Sequence, residues 1–171
     1  MKTAKNIIIG ADPFGYDIKE AVKAHLVRRG YTIKDITENG LIDYYLVGSQ
    51  VGKAVSEKEY PRGMVFCGSG MGVNIVANKY PGVYCGLVES IFTAQLCRTI
   101  NNCNVLSLGG FLNAPTKACK MADAFLDFEF AASGDEVDPD FLRMSYDKIQ
   151  EMEKEIYITY GKKFAQAGLN E

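Results

Sequence analysis

The sequence predicts an α/β fold: five parallel strands alternating with helices that cover both faces of the sheet, and an extra helix at the C-terminus. Short apolar runs such as N-I-I-I-G (Asn6–Gly10), Met64–Phe66 and N-V-L-S-L (Asn104–Leu108) lack the alternation of a half-exposed strand, as strands buried on both faces do. The segments between them place apolar residues three and four apart, and they are long enough for right-handed crossovers. In such sheets ligands sit outside the C-terminal ends of the strands.

Asn6 to Gly10 is the first strand, and Asp12-Pro13-Phe14-Gly15 is the loop that leaves it. A helix follows from Tyr16 to Arg29, with Ile18, Val22 and Leu26 on one stripe and Gly30 as its stop. Tyr31 to Ile36 is the second strand, and Asp43 to Glu57 the second helix, with Val47, Val51, Ala54 and Val55 inward. Met64 to Phe66 is the third strand; Val73 to Lys79 is a helix stopped by Pro81-Gly82. Val83 to Val88 is the fourth strand, and Ser90 caps a helix to about Asn101. Asn104 to Leu108 is the fifth strand, ending in Gly109-Gly110, and Pro115 opens a helix to about Phe128. Ala131 to Glu136 is a loop, and a last helix runs from Asp140 to about Tyr157. Residues 1–160 read as one domain and 161–171 as a tail without pattern.

Composition narrows the function. A formal net charge of −2 without a basic block argues against nucleic acid as a partner. No apolar run approaches a membrane span, and the N-terminus lacks a signal-peptide core, so a cytoplasmic location is expected. Cys67, Cys85, Cys97, Cys103 and Cys119 are odd in number and contain no Cys-x-x-Cys pair, which argues against a disulfide framework or a metal site. The one histidine, His25, falls inside an amphipathic helix and reads as a helix-surface residue. Acid–base chemistry therefore falls to cysteine, carboxylates, hydroxyls and backbone amides.

The chain is organised around Phe66-Cys67-Gly68-Ser69-Gly70-Met71-Gly72, a glycine-rich turn between a buried strand and a helix. It is not a dinucleotide fingerprint, because its glycines are misspaced, nor a P-loop, because no Gly-Lys-Ser/Thr occurs. The bland alternative is a tight turn with a buried cysteine. The functional reading is an anion cradle: bare N–H groups above a helix N-terminus, with a thiol at the strand's edge in a field that favours its ionised form. Such a thiolate can take a proton from carbon beside a carbonyl, and the amides then face the oxyanion that develops. Ser69 can relay a proton between neighbouring oxygens. This set serves aldose–ketose interconversion through a cis-enediolate with no cofactor.

Three stretches resemble one family: I-I-I-G-A-D-P-F-G (Ile7–Gly15), F-C-G-S-G-M-G-V-N-I-V-A-N-K-Y-P-G-V (Phe66–Val83) and T-A-Q-L-C-R-T-I-N-N-C-N-V-L-S-L-G-G (Thr93–Gly110). They are similar to type B ribose-5-phosphate isomerases and the two galactose-6-phosphate isomerase subunits. The resemblance implies a Rossmann-like three-layer α/β/α sandwich and a dimer or dimer-built tetramer whose active sites use two chains. It implies Cys67 as the general base, Ser69 as the proton shuttle, and the amides of Gly68, Gly70, Met71 and Gly72 as holders of the enediolate. Asp12 and Asn101 match residues that bind sugar hydroxyls, Tyr44 a substrate-contacting tyrosine, and Arg143 a phosphate-binding arginine.

The departures matter too. Pro13 and Ile100 stand where members of the family commonly have histidines, the second credited with ring opening. Ser133-Gly134-Asp135-Glu136 stands where they carry a basic phosphate clamp. One expectation is a substrate that needs no ring opening, such as a four-carbon sugar phosphate. A second is that the chain is one subunit of a mixed assembly. A third, from another class, is a non-catalytic sugar-phosphate-binding protein.

Overall fold

The computed structural model describes residues 5–132 and 137–167. Five parallel strands, β1 (Asn6–Ala11), β2 (Thr32–Asp35), β3 (Gly63–Cys67), β4 (Cys85–Leu87) and β5 (Val105–Gly109), form one sheet in the order β2-β1-β3-β5-β4. Helices α1 (Tyr16–Arg28), α4 (Ile91–Thr99) and α5 (Pro115–Asp127) cover one face; α2 (Tyr44–Ser56) and α3 (Met71–Ala77) cover the other. A sixth helix, α6 (Pro139–Ala167), follows. This is the expected α/β/α sandwich with its additional C-terminal helix.

Pleating sorts each buried strand between two cores. Ile7, Ile9, Met64, Phe66, Leu106 and Leu108 face α1, α4 and α5, while Ile8, Val65, Cys67 and Val105 face α2 and α3. Fully burying an aliphatic or aromatic side chain contributes about 1.5–3 kcal/mol, which is why apolar residues occupy consecutive positions in β1 and β3. From β1 the chain winds outward to β2; from β3 it winds the opposite way. The crevice between β1 and β3 is therefore a topological switch point, where ligands bind such sheets.

Contacts distant in sequence fasten the layers. His25 Nε2 lies 2.8 Å from Asp123 Oδ1, and Arg29 donates to Asp127 Oδ1 at 2.6 Å, so α1 is tied to α5. His25 thus sits between helices rather than on a free surface. Asp35, buried at the end of β2, accepts from Lys19 Nζ at 2.7 Å and Lys23 Nζ at 2.9 Å. Lys19 is fully buried, although its position on α1 reads as an ordinary surface lysine.

Element ends differ from expectation in three places that matter. α3 starts at Met71, two residues earlier than the valine periodicity suggests, because Gly70 (φ +77°) turns the chain directly into the helix. α4 ends at Thr99, so Asn101 lies in a turn; Ser90 does cap this helix, in a reciprocal box with Thr93. α6 runs to Ala167, beyond the expected end near Tyr157. The Tyr84 hydroxyl and Gly82 N–H both donate to Glu153, and the Tyr157 hydroxyl donates to Lys79 O; these bonds tie the middle of α6 to the body. The 133–136 stretch and the last four residues lie outside the described residues. Among the described residues no helix is long and apolar enough to cross a membrane.

Candidate active site

Ala11 pairs with Phe66, so Asp12 and Cys67 emerge from adjacent strands at the same level. The loop after β1 lies directly on the loop after β3: a methyl group on Gly15 would meet Cys67 N at 2.7 Å. Cys67 points to the α2/α3 face and is buried, with 5% of the residue exposed. Its Sγ accepts a hydrogen bond from Gly70 N–H at 3.1 Å.

The loop's carbonyls are taken up from the β5 side. Cys67 O accepts from Gly110 N–H at 2.8 Å, Gly68 O from Phe111 N–H at 2.9 Å, and Gly70 O from the Ser107 hydroxyl at 2.6 Å. These peptides are trans, and in a trans peptide C=O and N–H point opposite ways. The N–H groups of Gly68, Ser69 and Met71 therefore face away from β5. Met71 N–H donates to Ser69 Oγ at 3.2 Å. Gly70 cannot readily be replaced: its left-handed backbone disfavours a side chain, and a methyl would meet Leu87 Cδ1 at 2.6 Å.

Asp12 is buried, and its Oδ1 accepts from Phe14 N–H and Gly15 N–H, each at 2.9 Å. Burial raises its pKa; the Gly15 and Phe14 amides pull it down, the Asp43 charge pushes up, and the balance stays above the ordinary value. The Tyr44 ring lies against the loop, where a methyl on Gly72 would meet Cδ2 at 2.6 Å. Met71 is exposed beside it. Asp12, Tyr44, Cys67, Gly68, Ser69, Gly70, Met71 and Gly72 thus gather at one edge of the sheet.

Asn101 and Arg143 do not join them. α4 starts at the C-terminal end of β4 and runs back, so its last turn lies beside the strand starts. Asn104, just beyond Asn101, donates its N–H to Tyr84 O immediately before β4. Arg143 donates to Ala131 O at 3.0 Å, and Ala131 N–H donates to Thr99 O at 3.0 Å, which brings Arg143 to the same end as Asn101. The two edges are a strand apart, about 13 Å for four residues. Within one chain these two residues cannot line the crevice that holds Cys67.

Two features of the crevice escaped sequence reasoning. Ser107, the lone polar residue in a buried strand, anchors the loop through Gly70 O; that misplaced hydroxyl was its signal. Phe14 and Phe111, both exposed, pair with ring centroids 5.4 Å apart, and Phe111 covers Gly68, whose added methyl would meet its ring at 2.5 Å. Nothing local distinguishes Phe111 from any loop aromatic.

The profile of the family described as Ribose/Galactose Isomerase matches residues 7–138. The chain belongs to the ribose/galactose isomerase family. The chain is an isomerase of that family. Among its relatives, a 4-deoxy-4-sulfo-D-erythrose isomerase from Clostridium sp. (strain MSTE9) is 35% identical over 88% of this chain and 97% of its own length. A D-erythrulose-4-phosphate isomerase from Pectobacterium atrosepticum is 33% identical over 75% of this chain and 87% of that protein. Among solved structures, the ribose-5-phosphate isomerase B of Clostridium thermocellum superposes with a TM-score of 0.79 at 33% identity, covering 88% of this chain and 98% of that one.

Proposed function

We propose that this member of the ribose/galactose isomerase family interconverts the aldose and ketose forms of a four-carbon sugar with a terminal anionic group. The observation that carries the chemistry is the Gly70 N–H bond to Cys67 Sγ at the mouth of the β1/β3 crevice. Cys67 as thiolate removes the proton from the carbon beside the carbonyl. The carbonyl becomes an enediolate oxygen opposite the N–H groups of Gly68 and Ser69, where positioned donors lower the barrier by a few kcal/mol. The Ser69 hydroxyl moves the proton between the two oxygens, and the Cys67 thiol returns its proton to the neighbouring carbon. Asp12 and Tyr44 hold the hydroxyl groups.

Four carbons are favoured because a terminally substituted tetrose or tetrulose does not close the furanose ring of longer sugar phosphates. The enzyme then needs no ring-opening histidine, and Pro13 and Ile100 are tolerated. Two relatives are named for four-carbon substrates, one ending in a sulfonate and one in a phosphate. A substrate panel tests this: D-erythrulose 4-phosphate, 4-deoxy-4-sulfo-D-erythrose, D-ribose 5-phosphate and D-galactose 6-phosphate. We expect kcat/KM for a four-carbon substrate to exceed the others by about tenfold or more, the scale of discrimination a pocket achieves per methylene. Faster turnover of ribose 5-phosphate would overturn the chain length. Solvent deuterium appearing at the receiving carbon supports the enediolate, and normal turnover by a Cys67→Ala chain would overturn Cys67 as its base.

The site is completed by a second copy of the chain, which presents its Asn101 and Arg143 to the crevice. Support comes from their place at the far edge of the sheet. Cys67→Ala and Asn101→Ala chains, each far less active than wild type alone, should complement when co-assembled, with roughly a quarter of the sites intact in a random mixture of dimers. Failure of mixed dimers to regain activity argues for a site built within one chain.

A further inference from the structure

A cavity of about 490 Å³ opens beside the edge strand β4, on a different flank from the Cys67 crevice. Three of the five cysteines, Cys85, Cys97 and Cys103, line it together with Asn101. Catalysis as proposed above uses none of these thiols.

Cys97 lies in the last turn of α4, and Cys103 follows the turn that carries Asn101. Cys103 N–H donates to Cys97 O at 2.9 Å, which holds the two main chains at close spacing. A disulfide needs Cα atoms about 4.4–6.8 Å apart, and a direct N–H···O bond between two residues fits that span. Their side chains converge as well. A methyl group built on Gly86 would meet Cys97 Sγ at 3.1 Å and Cys103 Sγ at 3.4 Å, so both sulfurs approach one point under β4. Each residue is 7% exposed, and the cavity gives a small solute access from the same side.

We propose that Cys97 and Cys103 form an oxidisable dithiol, a modification site for a small peroxide, whose disulfide closes a seven-residue ring around Asn101. Cys103 is the attacking sulfur: the neighbouring Cys97 thiol holds it below the ordinary cysteine range against the opposing effect of burial, and the Arg98 charge assists. Cys85 is a poor competitor because burial pushes its thiol up. The Cys103 thiolate attacks one oxygen of hydrogen peroxide; the S–O bond forms, the O–O bond breaks, and hydroxide leaves. Cys97, giving up its proton, then attacks the Cys103 sulfur; the S–S bond forms, the S–O bond breaks, and a second hydroxide leaves. The two hydroxides take up two protons as water, so two thiols lose two electrons and one peroxide gains them.

Closing the bond draws the sulfurs together to about 2.05 Å and pulls on the Ile100–Asn102 turn between them. Arg98 already clamps that turn, donating to Asn102 Oδ1 at 2.6 Å and Cys103 O at 3.0 Å, and Asn102 sits in the left-handed region at φ +51°. The turn has little slack, so the contraction displaces Asn101. The effect on turnover rests on the role proposed above for Asn101; formation of the disulfide does not.

The test separates the two. The Cys67→Ala protein, which removes competing oxidation at the crevice, and the wild-type chain are treated with hydrogen peroxide and digested with trypsin. Cleavage after Lys79, Arg98 and Lys117 places Cys97 and Cys103 on different peptides. We expect these peptides linked through Cys97 and Cys103, a mass lower by two hydrogen atoms, and loss of two thiols restored by dithiothreitol. Absence of the linked pair, or a link through Cys85, overturns the dithiol. For the consequence, wild-type activity is expected to fall with formation of this link and to recover with dithiothreitol, while Cys103→Ala protein, in which only the crevice thiol Cys67 remains to inactivate the enzyme, loses less over the same interval. Equal loss in Cys103→Ala overturns the coupling to Asn101 and leaves the disulfide result standing.

Discussion

Replacing Cys67 with alanine is expected to lower kcat by about a hundred- to ten-thousand-fold, the usual contribution of a positioned acid–base group. The fold should survive. The residue is buried among Val65, Val73 and neighbouring aliphatics, and losing one sulfur costs about 1 kcal/mol, typical of a modest core change. The hydrogen bond from Gly70 N–H is lost with the sulfur, but Gly110, Phe111 and Ser107 still hold the loop through its carbonyls. The variant should therefore unfold within a few degrees of wild type and still bind substrate. Steady-state assay beside a thermal melt checks both halves. Normal turnover would shift the base to a carboxylate, with Asp12 the one at hand.

The second large effect is on stability. Asp35→Asn is expected to destabilise the fold by about 3–5 kcal/mol, because it leaves the fully buried Lys19 ammonium beside a neutral amide. Lys23, partly exposed, can turn to Glu38 and water; among the described residues Lys19 has only the half-exposed Glu20 besides Asp35, and it lies against the Tyr16 ring. The same pair predicts a pH dependence. Burial alone would raise the Asp35 pKa, but hydrogen bonds from Lys19, Lys23 and Thr37 N–H outweigh it, and the carboxyl ends below its ordinary value of 3.8. The unfolded chain then binds this proton more readily than the folded one. The stabilisation is complete above the unfolded pKa and is lost as pH falls through the folded value. Urea titrations at successively lower pH should show the gap between wild type and Asp35→Asn narrowing on acidification. A gap independent of pH would mean that the cost is steric rather than ionic. Asp12 acts with the opposite sign: its raised pKa favours the protonated folded form, so it stabilises slightly at low pH.

Much of the architecture was legible in the residues. Gly68-Ser69-Gly70 forms a turn because Gly70 must adopt a left-handed backbone, and a strand entering such a turn ends at Cys67. Ser90 three residues before Thr93 signals a helix start through bonds between neighbours. The end of α6 was misjudged for the converse reason: past Tyr157 the apolar periodicity fades, and its helical backbone could not be read from spacing. Arg98, inside the third matched stretch, serves the fold by holding the turn at Asn102 and Cys103.

By itself the sequence determined what is set within a few residues: strand and helix order, the glycine turn, and the thiol at the edge of β3. Tertiary structure decided which of those pieces meet. Strand order and crossover direction put Asp12 and Tyr44 with Cys67, sent Asn101 and Arg143 to the far edge, and buried Lys19 against Asp35. The physical reason is range. Backbone preferences and apolar periodicity act along the chain, whereas the edge at which a side chain emerges depends on the pairing of strands far apart in it.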